Sequence, residues 1–234
     1  MKSFNNLTVI GTSHISKESI KEAEDTIELL NPGIVALELD QARFYALLSK
    51  KKPKLELSLV KEIGVKGFLF AIIGSWVEKK LGKMVGTTPG DEMKAAAKLA
   101  LKKNLKIALI DQDLRITIRN LFKYLTWKEK WTFIKDLFMD LLGYSDVKQF
   151  DLNKVPEQEL IYEMITVVRK KYPSFYKALI VERNIFMAKA LYNLMEHNQN
   201  ITILALVGAG HEEEIINLIK KEAVKSYSST QKKN

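Results

Sequence analysis

The chain contains no cysteine. That excludes disulfide bonds, zinc–thiolate sites and cysteine nucleophiles, so any metal must be held by histidine, aspartate or glutamate. Histidine is scarce as well. There are three in 234 residues, at His14, His197 and His211. No GxxxxGK[ST] loop is present, which removes the P-loop signal for nucleotide binding. Basic strips interleaved with aromatics are lacking too, so the net charge of +9 reads as a lysine-rich solvated surface and not as a nucleic-acid site. The most apolar internal stretch, Gly64–Val77, falls short of the roughly 20 residues that a membrane span needs. The opening "MKSFNNLTVIGTSH" has an apolar run too short for a secretory signal. These readings point to a cytoplasmic protein with no transmembrane segment. Peripheral membrane contact through Gly64–Val77 and the lysine runs is left as a weaker option.

What is present suffices for a full core. Hydrophobic residues make up 47% and charged residues 28%, ordinary for a globular domain. "LTVIGT" (Leu7–Thr12), "IVALEL" (Ile34–Leu39), "LKIALID" (Leu105–Asp111) and "NITILALVG" (Asn200–Gly208) are short, apolar and rich in β-branched residues. They read as buried strands. Helical spacing fills most of the rest: from Ser16 to Leu30, from Gln41 to the lysine run, Asp91–Lys103, Arg115–Gly143, Glu157–Lys171, Ser174–Glu196, and from His211 onward. The first strand–helix–strand implies a parallel, right-handed crossover. The expected fold is α/β, a small, mainly parallel sheet covered by helices. It forms one domain over residues 1–225, with a helical insertion at about 55–84 and a polar, frayed tail at 226–234.

Open parallel sheets bind ligands at the carboxyl ends of their strands. Those ends carry Gly11-Thr12-Ser13-His14, Glu38-Leu39-Asp40 followed by Arg43, Asp111-Gln112-Asp113, and Gly208-Ala209-Gly210-His211. The last begins like a dinucleotide loop, but Glu213 replaces the third glycine and three glutamates stand where a pyrophosphate would sit. A ligand reading suits it better. Imidazole and carboxylate together suit a first-row divalent metal such as manganese, cobalt or zinc. The matched GxxH turns, with glycines that let the backbone bend sharply, would aim two histidines over one sheet edge. His14, His211 and Glu38 form that candidate metal set. Each histidine could instead serve only as a helix cap or local hydrogen-bond partner, and Glu38 could form an ion pair with Arg43 or Arg183. Asp111 and Asp113 could cap the following helix, and Arg183 could orient a carboxylate or stabilise an oxyanion. His197 reads as solvated. The aromatics Phe122, Tyr124, Trp127, Trp131 and Phe133 read as core or helix packing.

In order along the chain, "VIGTSHISKESI", "IVALELDQARFYAL", "PGDEMKAAAKLA", "IALIDQDLRITIRNLF", "LIVERNIFMAKAL" and "LALVGAGHEEEI" resemble the TraB/PrgY family, related to the Tiki metalloproteases and GumN-like proteins. The resemblance covers Thr8 to about Ile219. It implies a Tiki/erythromycin-esterase-like fold, with His14, Glu38 and His211 holding a divalent metal and Arg43, Asp111 and Arg183 in supporting catalytic roles. It also implies a peptide or protein substrate, and a homo-oligomer is compatible with it. Gln112 stands where many relatives have arginine. The expected activity is metal-dependent peptide hydrolysis, with Glu38 or a neighbouring carboxylate as the general base that takes the proton of the attacking water. The alternatives are a metal-free, histidine-dependent hydrolase and a non-catalytic, PrgY-like protein that sequesters a peptide or partner.

Overall fold

The computed structural model describes residues 1–12, 17–49, 90–141 and 165–231. His14, Ser16 and the expected insertion at 55–84 lie outside the described residues. Five strands form one sheet in the order β1-β2-β5-β3-β4: β1 (Lys2–Phe4), β2 (Leu7–Thr12), β3 (Ile34–Leu37), β4 (Lys106–Leu109) and β5 (Ile203–Gly208). β2, β5, β3 and β4 run parallel, and only β1 is antiparallel to its neighbour. β5, last in sequence, lies between the first two parallel strands. Leu7–Thr12 pairs with Ile203–Gly208 on one side of it, and Ile34–Leu37 pairs with Ile203–Leu206 on the other.

The helices are α1 (Lys17–Leu30), α2 (Gln41–Leu48), α3 (Asp91–Lys102), α4 (Leu114–Tyr124), α5 (Trp127–Leu141), α6 (Pro173–Tyr176), α7 (Glu182–His197) and α8 (Ala209–Gln231). Residues 165–171 are also helical. A π-helical turn, Lys177–Val181, joins α6 to α7.

Strand side chains alternate between two cores. Ile10, Val35, Leu37, Leu204 and Leu206 pack with Ala23 and Ile27 of α1 and with Met93, Ala96, Ala97 and Ala100 of α3. Leu7, Val9, Ala36, Ala205 and Val207 pack with Met187, Leu191 and Met195 of α7 and with Ile215, Ile216 and Ile219 of α8. The sheet is thus sandwiched between two helical layers. All of β3 and β5 is buried, which is why both read as continuous apolar runs and not as alternating ones. Each fully buried Leu or Ile contributes about 1.5–3 kcal/mol.

Several expectations change. β1 is an additional, antiparallel strand. β3 ends at Leu37, so Glu38 stands just beyond it. The single helix expected over Arg115–Gly143 breaks at Leu125–Thr126. There Thr126 and Glu129 form a capping box: the Thr126 amide donates to Glu129 at 3.0 Å and the Glu129 amide to the Thr126 hydroxyl at 3.2 Å. Glu129 also accepts the Ser174 amide at 2.7 Å, so one carboxylate serves the first turns of α5 and α6. The expected break between two helices lies at Tyr172, and Pro173 itself begins α6, since the first turn needs no amide donor. The last helix starts at Ala209 and continues to Gln231, which replaces the frayed tail over most of its length.

Candidate functional site

The carboxyl edge of the parallel strands gathers a cluster of charges. Glu38 follows β3, and its amide continues the ladder to Leu206 O at 3.1 Å. Its Oε2 accepts the Gly208 amide at 2.6 Å. Its Oε1 accepts Arg183 Nη2 and lies 3.5 Å from His211 Nε2. Asp111 follows β4, and its side chain is fully enclosed. Asp111 accepts Arg183 Nη2 at 2.6 Å and Arg183 Nε at 3.1 Å, together with Arg43 Nη2 and the Gln112 amide. Asp40 caps α2 by accepting the Arg43 amide at 2.8 Å, and it holds Arg43 Nε at 2.8 Å. The chain of contacts runs Asp40–Arg43–Asp111–Arg183–Glu38–His211. Its members come from β3, α2, β4, α7 and α8.

Arg183 is the centre of the cluster. Burial favours its neutral form, but the charges of Glu38 and Asp111 outweigh that and hold its pKa above the ordinary arginine value. Its Nη1 donates to Leu179 O at 3.1 Å, a carbonyl inside the π-helical turn. That turn places the Glu182 amide on Lys177 O and adds a residue to the helical repeat. The added residue re-aims the side chains that follow, a device frequent at functional sites.

Three consecutive residues of α7 serve three neighbours. Glu182 accepts Asn120 Nδ2 at 2.8 Å and the Tyr124 hydroxyl at 2.5 Å, tying α7 to α4. Arg183 holds the strand-end carboxylates. Asn184, 2% exposed, accepts His211 Nδ1 at 2.5 Å. With the proton on Nδ1, the lone pair of the neutral imidazole lies on Nε2. That atom stands 3.5 Å from both Glu38 Oε1 and Arg183 Nη1.

The structure therefore brings together Glu38, Arg43, Asp111, Arg183 and His211. Asp113 lies apart and caps α4 through the Arg115 amide at 2.7 Å. Gln112 donates to Thr117 at 2.7 Å. His197 Nδ1 lies 2.7 Å from Asn193 O, at the exposed end of α7. Among the described residues, no group of three or more histidines, aspartates and glutamates is arranged to hold a metal ion. His211 and Glu38 are two of the three expected ligands, and His14 lies outside the described residues. Thr12, two positions before His14, is paired with Gly208, three before His211.

The glycines act differently from the expectation. Gly90 is the only described glycine with positive φ, so Gly210 is not a left-handed bend. A Cβ on Gly210 would lie 2.6 Å from Ile165 Cδ1, and one on Gly11 would lie 2.9 Å from Ala209 Cα. They permit close packing, of helix 165–171 on the first turn of α8 and of β2 on that same turn. Asn184 was missed as a site residue. Its signal was a polar residue inside the apolar helical run "LIVERNIF".

The model of the TraB/PrgY/gumN family matches residues 2–231. An uncharacterized protein of Methanocaldococcus jannaschii is 37% identical over 218 residues, covering 91% of this chain and 53% of that protein. TraB domain-containing proteins of Mus musculus and Homo sapiens are each 25% identical over 195 residues, covering 78% of this chain and 51% of theirs. The chain spans about half the length of these relatives.

Proposed function

The chain belongs to the TraB/PrgY/gumN family, and on that premise we propose that it is a metal-dependent hydrolase of peptide bonds working at the carboxyl edge of the sheet. The observation that carries this reading is the convergence of His211 Nε2 and Glu38 Oε1, 3.5 Å apart, while Asn184 holds the other ring nitrogen. Metal-binding histidines characteristically donate their second N–H to a fixed acceptor in this way. His211 and Glu38 fit two positions of a first-row site, and His14 is the third proposed ligand. A divalent metal held there would supply Lewis-acid polarisation of a carbonyl. The chain's own groups do the rest. Asp111 and Glu38 hold the Arg183 guanidinium in place, so its positive charge is preorganised beside the reacting position to stabilise a developing oxyanion. Asp40 and Asp111 fix Arg43 at the rim of the same cluster.

A second reading rests on Arg183 Nη1 lying 3.5 Å from His211 Nε2. Here Nε2 takes a proton from water directly and Arg183 is the cation, with no metal required. Both Glu38 oxygens already accept donors, so the proton-accepting lone pair on this reading belongs to the histidine. Sequestration of a peptide without turnover is the alternative that the PrgY resemblance supports.

Metal content of protein purified without chelator, compared with His14→Ala and His211→Ala, tests the first reading, together with hydrolysis of a peptide library. Metal bound by the wild type and lost in both variants supports it, whereas unchanged metal content in both removes it. Hydrolysis that survives exhaustive chelation but not His211→Ala selects the metal-free reading. A stoichiometric peptide complex without turnover selects sequestration.

A further inference from the structure

Two aromatics of α5, Trp127 and Trp131, do not pack inward. Trp127 is 75% exposed and Trp131 is 67% exposed. Successive residues of a helix are about 100° apart, so Trp127, Trp131 and Lys135 share one side of α5, flanked by Lys128 and Lys130. Lys128 and Lys135 are exposed, and Lys130 Nζ lies 4.6 Å from the centre of the Trp127 ring. Between Lys123 and Asp136 the acids are Glu129 and Asp136, and both point away from this side. Glu129 is 4% exposed and bound to Ser174 and Thr126. Asp136 accepts the Tyr172 hydroxyl and pairs with Lys171. Contrary to the expectation that basic and aromatic residues do not interleave, the outward side of α5 presents two indoles among lysines, with Glu129 turned inward and Asp136 on the opposite side.

We propose that this side of α5 docks on an anionic lipid surface. Indoles with an apolar body and one N–H donor settle at the boundary between headgroups and acyl chains. Lysines with long stems reach out to acidic headgroups. Two strongly exposed indoles on one helix face with lysines around them suit insertion at a planar charged interface. The inference is independent of the reaction at the sheet edge, since α5 contributes no residue to that cluster.

The test is co-sedimentation of the full chain with vesicles of phosphatidylglycerol and phosphatidylcholine in equal parts, alongside pure phosphatidylcholine vesicles. Binding is expected to the anionic vesicles alone and to weaken with added salt. The double variant Trp127→Ser/Trp131→Ser and the double variant Lys128→Glu/Lys135→Glu should each reduce partitioning roughly ten-fold or more. All four residues are solvent-facing, and circular dichroism checks that the variants stay folded. In the wild type, brominated acyl chains should quench indole emission, and the tryptophan variant should lose that quenching. Equal binding to neutral vesicles, or partitioning unchanged by the tryptophan substitutions, overturns the proposal. So does an absence of vesicle binding with single-stranded oligonucleotide binding, or self-association, that depends on the same two tryptophans.

Discussion

At the amino ends of the parallel strands the chain turns on asparagines, and at their carboxyl ends it gathers charges. Asn5, Asn31 and Asn104 precede β2, β3 and β4 with φ of 51°, 41° and 55°. Asn6 Nδ2 donates to Asn198 O at 2.8 Å and Ile201 O at 2.9 Å, fixing the approach to β5. The charges near this edge are not buried: Lys103 pairs with Glu28 at 2.6 Å, and Lys106 is exposed. The carboxyl edge places the buried carboxylates Glu38, Asp40 and Asp111 against Arg43, Arg183 and His211. Burying ions is costly and is a poor route to stability alone. One edge of the same sheet therefore turns the chain, and the other carries buried charges whose cost the proposed chemistry would justify.

The sharpest break in that contrast is Arg183→Ala. It leaves Glu38 and Asp111 without their shared cation, and we expect a loss of about 3–5 kcal/mol of stability in urea denaturation together with loss of any hydrolytic activity. Asn184→Ala is next. It strips the buried His211 Nδ1–H of its acceptor, at a cost of about 1–3 kcal/mol. Nitrogen-15 spectra of the imidazole should then show mixed tautomers where the wild type shows one. A single tautomer in the variant would mean that Asn184 does not orient the ring.

The asparagine edge should respond in stability only. Asn104→Ala forces a Cβ-bearing residue without a local hydrogen-bonding side chain to φ 55°, costing about 1–2 kcal/mol. Asn104→Gly should stay within about 1 kcal/mol of the wild type. Both should leave metal content and hydrolysis unchanged, and a loss of either would erase the functional difference between the edges.

The smallest effect is expected at Asp113, which lies on the carboxyl edge but outside the cluster. The hydrogen bond from Arg115 lowers its pKa. A lowered folded-state pKa contributes stability above the unfolded value of about 4 and loses it as pH falls through the folded value. Its side chain is 34% exposed, so solvent screens the pair. Asp113→Asn should cost under about 1 kcal/mol at neutral pH and nothing at strongly acidic pH, as denaturation at the two pH values would show.

Sequence periodicity located β2 to β5 and most of α1, α2, α3 and α7, because burial on a helix or strand repeats over a few residues. The glycine- and acid-bearing strand ends marked the edge that holds the cluster. The break at Thr126 was legible in principle, since Thr126-x-x-Glu129 is a local capping signature. The outward rotation of Trp127 and Trp131 was harder to see. It depends on Glu129 finding Ser174, 45 positions away, and such a partner leaves no trace in the spacing of nearby residues.

The sequence by itself determined four of the strands, a helix-covered and mainly parallel sheet, and the candidate residues Glu38, Asp111, Arg183 and His211. Tertiary structure decided that β5 enters between β2 and β3, which sets Glu38 against Gly208 across 170 positions and Arg183 against Glu38 across 145. It also decided that Asn184 meets His211 Nδ1 and that Gly210 provides room and not a bend. The physical reason is range. Periodicity and capping act within a turn or two of chain, whereas strand order and the pairing of buried charges are settled by which surfaces close against one another.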